Sequence, residues 1–314
     1  MRPAPVPAGP ASASPLAIVL ALAAVYVVWG STYLAIRFAL EGGWPPLLMG
    51  GLRFIASGLV LYAVLRWRGL AAPTLAQWRN AAFMGVLLLG MGNGLVCIAE
   101  QTVSSGLAAV AVASVPLWMA LFAALRGEHP RRAEWIGLGV GFAGVAWLNA
   151  GSSLAASPTG LVALLVAAIA WSYGSIWSRG RDLPPPFMAA AAQMLCGGAA
   201  MLVAGLALGE RFDGWPTPRG LLSVGYLATM GSLVGFSAYV WLLRHVRPAL
   251  AGSYAYVNPV IAVLLGTWLA GERFGPQDLG AMAVVLAGVV AITLARARRP
   301  AAAAPVRAGA AGEA

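Results

Sequence analysis

The chain has 314 residues, 60% hydrophobic and only 10% charged, against about 25% charged in ordinary soluble domains, so it cannot clothe itself in a water-soluble surface. Its formal charge is +10, yet all 20 basic residues are arginines set in short clusters between long apolar runs. Loop charges of a membrane protein are distributed this way, whereas a phosphate-binding face gathers them on one surface, which sets nucleic acid aside as a partner.

Residues 1–14 are rich in Pro, Ala and Ser with one charge, and 296–314 are equally low in complexity; both read as disordered tails. The apolar stretch 15–36 is longer than the core of a signal peptide, so it reads as the first retained span. A helix needs about 20 mostly apolar residues to cross hydrocarbon. On that measure ten spans are expected, at 15–36, 45–65, 80–99, 103–125, 134–150, 159–178, 187–208, 220–242, 249–270 and 278–295. Residues 135–178 contain no charge, and the turn formers at 151–158 place the linker there. Cys97 and Cys196 both fall inside apolar runs and read as small core residues.

Short cytoplasmic loops hold an excess of basic residues. With the N-terminus inside, the inner segments hold 15 arginines and the outer ones 4 (Arg37, Arg211, Arg219, Arg273), so both termini are expected in the cytoplasm of a bacterial inner membrane. Laid over each other at an offset of 142 to 144, the halves match Trp29 with Trp171, Arg37 with Arg179, Pro116 with Pro259, Glu128 with Glu272 and Gly144 with Gly288. Five spans per half is an odd number, so the second copy must insert upside down. The expected fold is therefore all-α integral membrane, ten helices in two inverted five-helix repeats, at 15–150 and 159–295.

The runs WGSTYLAIR (29–37), LRFIASG (52–58), GLAAV (106–110), VPLW (115–118), the Gly127-Glu128 and Gly271-Glu272 turns, and the closing GFAGVAWL and VLAGVVAIT resemble the drug/metabolite transporter superfamily, specifically its EamA-type members. The resemblance covers nearly everything between the tails. It implies a carrier with a central cavity between the halves, lined by spans 1, 3, 4, 6, 8 and 9, that moves amino acids, other metabolites or drugs, commonly outward. Fold does not name the cargo.

Trp29, Tyr33 and Arg37 stand at i, i+4 and i+8 in span 1, and Trp171, Ser175 and Arg179 do the same in span 6, so each trio forms one helical face. Two readings stand: a substrate pathway with an arginine at each mouth, or packing aromatics with interfacial anchors. Trp118, which ends the VPLW run, joins the pathway set. Arg53 lies about 12 Å inside span 2, where an arginine must face protein or water. Glu100 is its expected partner, as a structural ion pair or as part of a binding site.

Pro116 and Pro259 sit at mid-span and deprive the carbonyls of Val112 and Ala255 of their donors, giving either hinges or static kinks. Tyr254 and Asn258 share a face; Asn258 and Asn93 are polar groups in hydrocarbon, set against the cavity or bonded between helices, and Gln101 is placed at the outer mouth. Gly137 to Gly144 and Gly280 to Gly288 form small faces for helix packing or for a homodimer contact.

No Asp or Glu lies deep in a span, no metal-ligand cluster appears, and the chain lacks Lys and hence a nucleotide-binding loop of the Walker type. No cofactor is expected. An intramembrane enzyme would need converging nucleophiles, paired acids or metal ligands in the spans, and none are there. The expected activity is secondary transport of a small metabolite such as an amino acid, by alternating access and outward. Import or exchange, and a non-transport structural or sensory role, are the competing readings.

Overall fold

The computed structural model describes residues 14–127, 132–151, 157–246 and 248–297. The expected tails (all but Ser14 and residues 296 and 297), linker residues 152–156 and Glu128 lie outside the described residues. Every regular element among those described is helical. The elements are α1 (Pro15–Glu41), α2 (Pro46–Trp67), α3 (Leu75–Gly85), a π-helical stretch (Val86–Asn93) and α4 (Gly94–Ala99). Then come α5 (Ser105–Val112), α6 (Val115–Leu125), α7 (Arg132–Gly151), α8 (Pro158–Trp177) and α9 (Pro186–Ala207). The last are α10 (Pro218–Tyr226), a second π-helical stretch (Leu227–Phe236), α11 (Ser237–His245), α12 (Pro248–Ala251), α13 (Tyr254–Ala270) and α14 (Pro276–Ala297).

Seven of these helical runs are long and apolar enough to cross a membrane among the described residues. The other three expected spans coincide with α7, α13 and α14, of which α13 and α14 contribute shorter apolar stretches. Proline opens α1, α2, α8, α9, α10, α12 and α14, at the position where a missing N–H is harmless and the fixed φ already suits a helix. Side chains complete the starts: the Thr74 hydroxyl accepts from Gln77 N at 3.2 Å, and the Glu210 carboxylate accepts from Leu47 N and Leu48 N at 3.0 and 2.9 Å.

Helix α1 runs to Glu41, beyond its expected end, so Arg37 stands within the helix and not past it. Span 4 is broken, not bent. Helix α5 stops at Val112, Ala113 and Ser114 form a turn, and Pro116 falls in the first turn of α6. Pro259 is different, lying five residues into α13 behind the break at Gly252 and Ser253.

The small faces expected in spans 5 and 10 meet each other. Gly144 lies against Val285, Gly141 against Gly288 and Trp147 against Gly280, so α7 and α14 run antiparallel. Helices α2 and α9 are antiparallel too: Gly51 faces Leu202 and Gly198, while Gly58 faces Met194 and Leu195. Without a hydrophobic force between helices in lipid, such close backbone approach is what dispersion packing requires.

A Cβ at Gly198 would stand 2.9 Å from Gly51 O and 3.0 Å from Ile55 N, both backbone atoms that cannot yield, whereas one at Gly139 meets nothing within 4 Å. Gly198→Val should therefore cost about 1–3 kcal/mol of overpacking, and Gly139→Ala essentially nothing. Thermal unfolding of the two purified variants in one detergent checks this; equal midpoints would refute the packing account.

Candidate functional site

A cavity lies where helices of both halves converge. Its lining includes Trp29, Tyr33, Arg53, Asn93, Trp171, Tyr254 and Asn258, all expected on the pathway. Ser175 and Arg179 are not in the lining: the Ser175 hydroxyl bonds to Trp171 O at 2.8 Å, and Arg179 is exposed beyond the end of α8. Trp118 is another correction. Its ring is not in the lining and packs on Phe142 of α7 at 4.9 Å.

Aromatic rings form one wall. Trp29 meets Trp171 edge-on at 5.6 Å, Tyr254 at 5.2 Å and Tyr239 at 5.0 Å; Phe236 joins through Trp171 at 6.5 Å. Each such pair is worth about 0.5–1.5 kcal/mol beyond burial. Phe236 and Tyr239 were missed from the sequence, because nothing marks them among the other aromatics of span 8 until α1 and α8 are packed against it.

The two π-helical stretches shape this wall. Trp171 lies over Gly92 of the first, and Trp29 over Gly235 of the second; a Cβ on Gly235 would stand 2.6 Å from the Trp29 Nε1. A π stretch misaligns backbone carbonyls within a helix and is frequent at functional sites. In the second, Gly231 O accepts from the Trp29 Nε1 at 3.1 Å and Ala228 O from the Ser57 hydroxyl at 2.8 Å. The stretches had no expectation attached, since Gly-rich apolar runs carry no π signature of their own.

Polar groups line the cavity as well. Arg53 is 3% exposed and donates from one Nη to Asn93 Oδ1; its guanidinium stacks on the Phe54 ring at 4.5 Å, and its Nε has no partner. The expected ion pair with Glu100 is absent. Glu100 lies seven residues beyond Asn93, about 10 Å further along the helix axis, too far for a guanidinium level with Asn93. The Asn258 amide, with its NH₂ directed at backbone oxygens, donates to Tyr26 O at 3.1 Å and Tyr254 O at 3.3 Å, which ties α1 to α13.

A second depression is lined by Arg37, Leu40, Glu41, Trp44, Glu100 and Gln101. Arg37 bridges Glu41 at 2.8 Å and Glu272 at 2.6 Å. The Glu272 carboxylate also accepts from the Ser105 hydroxyl (2.7 Å), Ser105 N (2.9 Å) and Gly106 N (3.1 Å) at the start of α5. Arg37 is thus not a free basic residue at a mouth but part of a clasp joining α1, α5 and the α13–α14 turn. Gln101 is exposed and bonds only to Ile98 O.

The arrangement defines a multi-helix membrane carrier with a partly polar internal chamber. The chain belongs to the EamA-like transporter family, whose model matches residues 15–150 and again 158–294; it is a transporter and not an enzyme. It is 46% identical over 277 residues to the uncharacterized inner membrane transporter YedA of Escherichia coli (strain K12), covering 88% of this chain and 90% of that one. It is 31% identical over 136 residues to the aromatic amino acid exporter YddG of Ancylobacter novellus, covering 42% of this chain and 45% of that one. A solved crystal structure at 25% identity superposes with a TM-score of 0.66, covering 90% of this chain and 99% of the other.

Burial works against a charged Glu272, but the hydrogen bonds from the Ser105 hydroxyl, Arg37 and the Ser105 and Gly106 N–H groups outweigh it and hold the carboxyl below the ordinary carboxylate range. A carboxyl whose folded pKa is depressed contributes stability above its unfolded value of about 4.3, and loses it as pH falls through the lower folded value. Glu272→Gln should therefore lower the thermal midpoint at pH 7, with the gap to wild type closing in acid. A gap that persists unchanged below pH 4 would contradict the electrostatic origin of the clasp.

Proposed function

We propose that this chain is a ten-span carrier of two inverted five-helix halves, 15–150 and 159–295, that exports a small carboxylate-bearing metabolite of the amino-acid class by alternating access. In this reading it sits in the inner membrane with both termini in the cytoplasm, which the arginine bias of the loops supports. The antiparallel pairing of α2 with α9 and of α7 with α14 supports the inversion, because these are sequence-equivalent helices of the two halves. The reciprocal seats of Trp29 on Gly235 and Trp171 on Gly92 support it as well.

One observation carries the cargo class. Arg53 is a cation at 3% exposure on the cavity wall, with no carboxylate within ion-pair distance and an Nε that bonds to nothing. A buried charge of this kind demands an anion, and a cargo carboxylate supplies one. Asn93 holds the guanidinium in place, Asn258 and Tyr33 offer further polar contacts, and the faces of Trp29, Trp171 and Tyr254 suit an apolar or aromatic side chain. That fits the substrate in the name of the relative YddG. Arg37, Glu100 and Gln101 form the outer gate, and the interruptions at Pro116 and before Pro259 are the hinges.

Flux in proteoliposomes tests the reading. Labelled phenylalanine should exchange across the bilayer, and Arg53→Ala should lower its initial rate about tenfold or more, since a charge-assisted hydrogen bond is worth about 1.5–3 kcal/mol; a rate untouched by the substitution would end the assignment of Arg53. Topology is tested separately. Single cysteines at Gly43 and Arg181, in the equivalent α1–α2 and α8–α9 loops, should react with an impermeant maleimide from opposite faces of the membrane. Labelling from one face would rule out inversion.

A further inference from the structure

Glu100 has no part in the clasp or in the Arg53–Asn93 contact. It caps α4, is 6% exposed, and neither of its carboxylate oxygens has a hydrogen-bond partner. Its place is the partition between the two hollows: Tyr33, Ile36, Asn93 and Val96 line the central cavity, whereas Arg37, Leu40, Glu100 and Gln101, one turn further along the same two helices, line the depression.

The charged and titratable groups that face Glu100 are Tyr33 and Arg37 from α1, Arg53 from α2, Cys97 from its own helix and Glu272 beyond α13. Neither arginine forms an ion pair with it. Arg37 is engaged by Glu41 and Glu272, and Arg53 by Asn93. Arg37 is shared by two carboxylates, Glu41 and Glu272, and Arg53 stands level with Asn93, so an ionised Glu100 would be a third negative charge near Glu272 with no cation in contact. A carboxylate buried without hydrogen bonds or counter-ion is costly enough that the group neutralises instead.

We propose that Glu100 is a proton-binding site, occupied while the Arg37 end of the carrier is closed and emptied when that end opens. The step is a simple ionisation. Separation of α1 from Glu272 admits water to the partition, the carboxyl passes its proton to that water, and the carboxylate left behind favours the open, hydrated mouth. Reclosing takes one proton back from the same side. Acid on that side therefore favours the closed state.

The proposal rests on the carrier reading, and its first test is independent of the cargo. In the first, infrared difference spectra of the protein in nanodiscs at pH 7, wild type minus Glu100→Gln, should contain the C=O band of a protonated carboxyl, although a solvated Glu ionises near about 4.3. In the second, counterflow of labelled phenylalanine should slow severalfold as the Arg37 side is acidified from about pH 8 to about pH 6, within the tenfold per unit that one proton allows. The Glu100→Gln carrier, fixed in the neutral form, should be slow with a flat pH profile. Absence of the band, or a wild-type pH profile in Glu100→Gln, overturns the proposal. Wild-type protein that moves no phenylalanine would remove the cargo assignment, and the infrared arm would then decide the proton site alone.

Discussion

In hydrocarbon every backbone carbonyl released from its helix must find another donor within the protein, and the centre of this transporter is organised around that constraint. Beside the cavity its helices depart from regularity in the two π-helical stretches and at the turns of Ala113–Ser114 and Gly252–Ser253. Where carbonyls are displaced, side chains from other helices take them: Trp29 bonds Gly231 O, Ser57 bonds Ala228 O, and Ser172 bonds Val115 O at 3.0 Å. Each of these bonds also fixes the spacing of two helices. The irregularities that open room for cargo and the contacts that hold the cavity walls are the same contacts.

The glycine-lined pairs α2·α9 and α7·α14 complement this central region. They bring backbones too close for intervening side chains. In the proposed cycle such close-packed pairs are the static part and the helices with interruptions beside the cavity are the moving part. The Arg37–Glu272 clasp is the polar counterpart at one end: a carboxylate satisfied by a guanidinium, a hydroxyl and two N–H groups. With so many bonds meeting at Glu272, separating α1 from α5 there costs several at once, which suits a latch between two discrete states.

Spans, arginine asymmetry and the internal repeat were legible because lipid imposes them on local sequence: length, apolarity and loop charge are properties of consecutive residues. The cavity was partly legible for the same reason. Trp29, Tyr33, Trp171, Tyr254 and Asn258 stand out as large or polar groups on single helical faces, and Arg53 is conspicuous in any apolar span. Three things needed the tertiary structure. Arg53 pairs with Asn93 and not with Glu100 because axial level, invisible in sequence order, decides which side chains meet. Trp118 packs on Phe142 of α7 and not in the cavity, because the rotation of one helix against its neighbours is set by packing. The two π-helical stretches carry no local signal, and they meet Trp29 and Trp171 of the opposite half only in the packed structure. Sequence alone determined which segments enter the membrane and which residues are too polar to face lipid; only the packed structure decided which of those residues share a chamber, because that depends on helix level and rotation, which neighbouring helices set.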